Sequence, residues 1–312
     1  MRTSRTVNEL RRALADSRLA RQRIGLVPTM GALHEGHLSL IRRARAECDV
    51  VVVSVFVNPT QFGPEEDLDA YPRNEERDAR LAAEAGADEL FAPSVAEVYP
   101  PGFATTVSVS GVTKTLCGAQ RSPEHFVAVA TVVTKLLNMV GPDAAYFGQK
   151  DAQQAVVIRR LVADLSIPTE VVVCPIVRDA DGLALSSRNA YLDDIQRARA
   201  LALRRGLDAA ELAVRQGERD AGRVAAAGRR VMLDLGVEPE YLEVVDPQDL
   251  RPVQTIDGQV LVAVAAQVGP ARLIDNSLIP AGQAAQRESP GEHRERIGAF
   301  NDQIGATEPC SV

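Results

Sequence analysis

Two histidines three residues apart, His34 and His37, stand in the stretch Leu26-Val27-Pro28-Thr29-Met30-Gly31-Ala32-Leu33-His34-Glu35-Gly36-His37. On the first turn of a helix that spacing puts both imidazoles on one side. Gly36 lies between them and leaves room for a ligand or a sharp turn. Three chemistries fit such a pair. A zinc site of the His-Glu-x-x-His kind needs a spacing of four and is set aside. Two structural histidines capping a helix remain open. The third is a phosphate site, in which free N–H groups and the positive end of the helix dipole meet an anion.

Other reactive side chains recur after apolar runs. Asn58 and Gln61, in Asn58-Pro59-Thr60-Gln61, offer neutral amides suited to hydroxyls and carboxylates, against the alternative of a plain Asn-Pro turn. Arg121 and His125 sit in a polar loop and could contact an anion, or simply be solvated. Gly148-Gln149-Lys150-Asp151 reads as a strand-to-helix turn with Lys150 in reach of a phosphate. Ser186-Ser187-Arg188 supplies two hydroxyls and a guanidinium fork, although as a tripeptide it also makes an ordinary turn.

The elements that must position these groups alternate. Ile24 to Val27 is a short buried strand stopped by Pro28. Leu38 to Ala46 continues as a helix. Residues 49–57 form a nearly continuous β-branched run, as in a strand covered on both faces of a parallel sheet. A polar helix over 74–84, strands over 88–93 and 105–109, an apolar helix over 127–140, a strand over 144–147, a helix over 152–165 and a strand over 169–174 follow. Thr6-Val7-Asn8-Glu9 is a capping box that opens a helix ending near 17–19. Past Asn189 come helices over 193–216 and 218–235, then strands over 241–245, 259–265 and 271–275. The pattern predicts an α/β fold: a doubly wound, Rossmann-like parallel sheet with a second, smaller α+β domain. The expected domains are residues 1–176 and 177–282, with 283–312 a mostly disordered tail.

Composition narrows the partners. The chain has 312 residues, 46% of them apolar, and a net charge of −7. An acidic balance disfavours nucleic acid, so any phosphate site must be local. The four cysteines (Cys48, Cys117, Cys174 and Cys310) are scattered and form no Cys-x-x-Cys pair, as expected of reduced thiols. No apolar run reaches membrane-spanning length. The N-terminus has no apolar signal core, and the cytoplasm is the expected compartment.

Taken together, the segments Val27–His37, Phe56–Phe62, Phe147–Gln154 and Asp181–Asn189 resemble the pantothenate synthetase (pantoate–β-alanine ligase) family of the nucleotidylyltransferase superfamily, over about 23–279. The resemblance implies adenylation of pantoate by ATP with release of pyrophosphate. Attack of β-alanine on pantoyl adenylate then gives pantothenate and AMP. It implies an ATP site lined by Met30, Gly31, Ala32, Leu33, His34, Glu35, Gly36 and His37, with His37 as proton donor and His34 supporting the phosphates. Gly148, Gln149, Lys150, Asp151, Val177, Leu185, Ser186, Ser187 and Arg188 would complete that site, with Lys150 stabilising the transition-state phosphate. Gln61 and Gln154, with Asn58, would hold pantoate and β-alanine. Mg²⁺ would enter with ATP, and the protein would be a homodimer. Three departures stand out. One extra residue separates Arg121 from His125, and Ala128 occupies a glycine position, which bears on the tightness of the substrate pocket. Gln149 stands where glutamate is common.

Overall fold

The computed structural model describes residues 1–62, 68, 71–120 and 124–280. In chain order the elements are β1 (Arg2–Ser4), α1 (Val7–Ala13), α2 (Ala15–Leu19), β2 (Ile24–Thr29), α3 (Glu35–Glu47), β3 (Val50–Val55), α4 (Glu75–Glu84), β4 (Glu89–Phe91), α5 (Val95–Val98), α6 (Cys117–Gln120), α7 (Glu124–Val140), β5 (Ala144–Gly148), α8 (Ala152–Asp164), β6 (Glu170–Cys174), α9 (Asp194–Arg215), α10 (Ala221–Asp234), β7 (Tyr241–Val245), β8 (Val260–Val268) and β9 (Ala271–Ile279). The doubly wound expectation holds: six strands pair in parallel in the order β1-β4-β3-β2-β5-β6. The smaller antiparallel sheet has the order β7-β8-β9, with α9 and α10 packed on it.

The order of the large sheet decides where a ligand can sit. From β2 the chain moves one way through β3 and β4, then returns to add β5 and β6 on the other side. The crevice outside the carboxyl ends of β2 and β5 is therefore the switch point, where open α/β sheets bind ligands. Both strands are built for a central place. Leu26, Val27, Ala144 and Ala145 are fully buried, and Val51, Val52 and Val53 are buried on both faces of β3. On one face of the sheet, α3 contributes Leu38, Leu40, Ile41 and Ala44 to a core shared with Val27, Val51 and Tyr146. Each such large aliphatic side chain contributes roughly 1.5–3 kcal/mol on burial. The opposite core combines α1, α7 and α8 with Tyr241, Val245, Leu261, Ala263 and Ala265 of the smaller sheet. Residues Met1–Ala281 thus close into one compact unit.

Three local expectations change. Residues 105–109 form no strand among the described residues. The Val107 N–H donates to Thr131 Oγ1 of α7 instead (2.9 Å). β1, which is short and polar, carries no sequence signal. It exists because Ser4 bonds Glu89 of β4 and its backbone pairs alongside that strand. β2 does not stop at Pro28 but runs through it to Thr29, with Pro28 opposite Ser54 and Thr29 opposite Val55 of β3. The helix after it starts at Glu35 with His34 as its cap, which puts His37 on the first turn as the spacing implies. The capping box at Thr6 and Glu9 forms as expected. The expected tail, 283–312, lies outside the described residues, as does Arg121.

Candidate active site

Thr29 ends β2 with its Oγ1 donating to Ser54 O (2.7 Å) and accepting from Gly31 N (3.1 Å). The chain then turns through Gly31 at φ +83° and Ala32 at φ +51°, both in the left-handed region. Asp78 of α4, almost wholly buried, closes this turn. Its two oxygens accept from Ala32 N and Leu33 N, each at 2.8 Å. Arg77 adds a bond from Nη1 to Leu33 O (3.1 Å). These N–H groups are therefore spent inside the protein and do not face a ligand.

The histidines are also tied to the backbone. Gly36 N donates to His34 Nδ1 (3.2 Å), and His34 N approaches His37 Nδ1 (3.4 Å). An Nδ1 that accepts carries no proton, so in both neutral rings the proton sits on Nε2. The rings lie 4.1 Å apart at 40°. Burial, aided by the charge of Lys150, pushes the His34 pKa down to about 4. Burial, with His34 and then Lys150 as neighbours, pushes His37 down to about 3. At neutral pH the pair is thus two uncharged Nε2–H donors. Gly36 is required for a steric reason: a Cβ there would lie 2.9 Å from His34 Cε1.

Across the crevice, β5 ends at Gly148 and the chain makes a 3-10 turn, Gln149–Asp151, before α8. Lys150 is mostly buried, and Asp151 lies 3.9 Å from its ammonium, the nearest acid among the described residues. From the far side comes the segment after β6. Val177 O accepts from Leu185 N (3.0 Å), and Ser186 caps the following turn by accepting from Arg188 N (3.3 Å). At the floor, Asn58 holds Gln61: Asn58 Nδ2 donates to Gln61 Oε1 (3.0 Å). His125 Nδ1 lies 3.2 Å from Gln61 O.

Together these segments enclose a cavity of about 230 Å³. Of the residues expected from the sequence, Met30, His34, Gly36, His37, Gln61, Gly148, Lys150, Asp151, Gln154, Val177, Leu185, Ser186, Ser187 and Arg188 line it. The others do not. Gly31 and Ala32 form the turn held by Asp78, and Leu33 is buried in the core. Glu35 is exposed and ion-paired to Arg42. Gln149 turns away to Asn276 (3.0 Å). Asn58 is fully buried, accepting from Tyr99 OH (3.0 Å) and Thr60 Oγ1 (2.9 Å), so it supports Gln61 from behind.

Several lining residues carry no clear sequence signal. Tyr71 enters from the segment ahead of α4, and burial raises its pKa despite the nearby Ser187 hydroxyl. Val129, Val132, Val133 and Leu136 of α7 form an apolar wall. Their i, i+3, i+4, i+7 spacing marks a buried helix face without saying whether core or cavity covers it. Asp78 is equally silent, since an acidic residue on a polar helix is ordinary.

The electrostatics of the cavity oppose those of the whole chain. Lys150 and Arg188 line it, and Asp151 is the one carboxylate among its described lining residues. No group of three or more His, Cys, Asp or Glu side chains among the described residues is placed to hold a metal ion. The arrangement can take a polyanion between two cations and two neutral N–H donors, beside a small molecule gripped by amides against an apolar wall.

Residues 2–278 match the family model described as pantoate-beta-alanine ligase. A pantothenate synthetase of Pelotomaculum thermopropionicum is 53% identical over 279 residues, covering 88% of this chain and 97% of the relative. One of Thermotoga neapolitana is 54% identical over 280 residues, covering 89% and 100%. Among solved structures, a Thermus thermophilus pantothenate synthetase superposes with a TM-score of 0.84 at 49% identity, covering 89% of this chain and 99% of that one. The Francisella tularensis pantoate-beta-alanine ligase, solved with beta-gamma ATP and beta-alanine, gives a TM-score of 0.71 at 33% identity, with coverage of 89% and 97%.

Proposed function

We propose a mechanism from the premise that this chain belongs to the pantoate–β-alanine ligase family and is an enzyme that condenses pantoate with β-alanine using ATP. Condensation proceeds in two steps. The pantoate carboxylate attacks the α-phosphorus of ATP, forming pantoyl adenylate as pyrophosphate leaves. The β-alanine amine then attacks the acyl carbon, AMP leaves, and the amide of pantothenate remains. The observation that carries this reading is the convergence of His34, His37, Lys150 and Arg188 on one cavity with Gln61 and Gln154.

Each residue has a physical task. Phosphoryl transfer needs alignment and charge stabilisation more than covalent help. Lys150 and Arg188 neutralise negative charge spreading over the phosphate oxygens. The Nε2–H groups of His34 and His37 donate to the same oxygens without repelling the cations. Burial keeps the His37 ring neutral in the ligand-free protein, so it meets the phosphate as an Nε2–H hydrogen-bond donor. Gln61 and Gln154 hold the hydroxyls and carboxylate of pantoate, whose dimethyl carbon meets the wall of Val129, Val132 and Val133. Ser186 and Ser187 supply hydroxyls to the phosphates.

Magnesium fits here as a companion of ATP. Asp151, the single carboxylate among the described lining residues, suits an ion that takes most of its oxygens from phosphate and water. When bound, it offsets phosphate charge. A homodimer and a cytoplasmic location complete the proposal; no helix among the described residues is long and apolar enough to cross a membrane.

The test is pyrophosphate release from ATP, Mg²⁺ and pantoate, with and without β-alanine. One burst per enzyme without β-alanine, and turnover to AMP and pantothenate with it, is expected. Release that ignores pantoate would point to a simpler nucleotidylyltransferase and overturn the two-step scheme.

A further inference from the structure

β9 places two adjacent side chains, Asp275 and Asn276, both nearly buried, against the two segments that carry the cavity's cations. Neighbouring residues of a strand face opposite ways, so one strand can hold two partners at once. Asn276 faces the turn after β5. Its Nδ2 donates to Gln149 O (2.9 Å) and Lys150 O (3.0 Å), and its Oδ1 accepts from Gln149 Nε2 (3.0 Å). Both amide protons and the amide oxygen are thus committed to one turn. Asp275 faces the segment after β6. It takes Arg178 as a two-pronged ion pair, Nη1 to Oδ2 at 2.7 Å and Nη2 to Oδ1 at 2.9 Å. Arg178 opens a short hairpin: it bridges Ala184 and donates to Gly182 O (3.2 Å). That hairpin delivers Ser186, Ser187 and Arg188 to the cavity.

We propose that Asp275 and Asn276, neither of which lines that cavity, are positioning residues that set Lys150 relative to Arg188, so that the smaller sheet controls the adenylation step. The proposal rests on the role given above to Lys150. The backbone of Lys150 is held from outside its own strand-turn-helix unit, and the Arg188 hairpin is held from the next residue of the same strand. Their separation is therefore a property of β9. Gln149 completes the arrangement, because its amide lets Asn276 accept a bond while donating two. A carboxylate at Gln149 would leave Asn276 Oδ1 facing another acceptor.

The experiment is a double-variant cycle read on separate half-reactions. Asn276→Ala should slow single-turnover pyrophosphate release about 100-fold, the scale on which ångström misplacement acts. Reaction of preformed pantoyl adenylate with β-alanine should stay within about 2-fold of the parent, and the KM for ATP should move far less than kcat, since the displaced group acts on the transition state. Asn276→Asp, alike in shape but unable to donate to the two carbonyls, should fail as badly. Asn276→Ser, which keeps one donor, should fall between and guards against a variant that does not fold. In a Lys150→Ala background, Asn276→Ala should cost almost nothing more, because the residue it positions is gone. Fully additive losses, or equal slowing of both half-reactions, would overturn the proposal. A Lys150→Ala enzyme that adenylates at the parent rate would instead remove the role of Lys150 itself.

Discussion

The two strand-to-helix turns that face each other at the switch point do opposite jobs by opposite means. The turn after β2 is held partly by its own side chains and partly by α4. Its imidazoles accept from its own backbone, and Asp78 of α4 takes the N–H groups of Ala32 and Leu33. What it shows to the cavity is neutral and fixed. The turn after β5 shows a charge, Lys150, and depends for its position on a strand more than a hundred residues later. A cation cannot be fixed by a close acid without losing its value to a phosphate. Its backbone is held instead, and the ammonium is left with Asp151 no nearer than 3.9 Å. Division of labour between neutral donors and nearby cations avoids the repulsion that two imidazolium rings beside Lys150 would create.

If charge is the contribution of the second turn, Lys150→Ala is the most damaging change. We expect adenylation to fall about 1000-fold, with the melting temperature within a few degrees of the parent, by rapid-quench pyrophosphate release and thermal melts. If the first turn contributes neutral Nε2–H donation, His37→Asn and His37→Gln separate its two functions. Asn keeps an acceptor near the Nδ1 position and loses the outward donor, costing about 100-fold in the same assay. Gln keeps an outward N–H and loses the inner acceptor, so it should retain more activity and less stability. Equal activities would show that the donor is not what matters.

Asp78→Asn probes the brace behind the histidines. One carboxylate oxygen becomes an NH₂ group aimed at a backbone N–H, which costs about 1–3 kcal/mol in urea denaturation. Activity should drop about 10-fold as the turn loosens. A variant as stable as the parent would mean the Asp78 bonds are dispensable. The smallest effect is on pH dependence. Both histidine pKa values lie below the ordinary value of 6.5 in the folded protein, so the unfolded chain binds more protons between 6.5 and about 4. Their contribution to stability is complete above pH 6.5 and is lost as pH falls toward 4 and then 3. A His34→Gln, His37→Gln protein should show a shallower decline in urea midpoint between about pH 7 and pH 5. An unchanged slope would place the histidine pKa values near 6.5.

Much of the site is legible because it is local. A strand, a glycine turn and a helix opening can be read within a dozen residues, and the sheet sets such turns side by side whatever their sequence separation. Hence short segments suffice to identify His34, His37, Lys150 and Arg188, and they meet in one cavity. Backbone donors mislead for the same reason. Gly31 to Leu33 look available in isolation, and only the arrival of α4 shows that Asp78 has taken the N–H groups of Ala32 and Leu33. Asn58 has the composition of a ligand contact, yet Tyr99 and Thr60 reach it first.

The sequence by itself determined the alternation of elements, the two sheets, the motif-bearing turns and the chemistry of their side chains, because periodicity and turn residues act over a few positions. Tertiary structure alone decided which residue serves as support and which faces the ligand. Residues 105–109 have strand propensity but no strand neighbour among the described residues, while Arg2–Ser4 has little propensity and finds one. A strand is stabilised by a partner, and a buried polar group by whichever donor or acceptor the fold brings near. Neither is a property of the segment alone, and so Asp78, Asp275 and Asn276 became visible only when the chain had closed on itself.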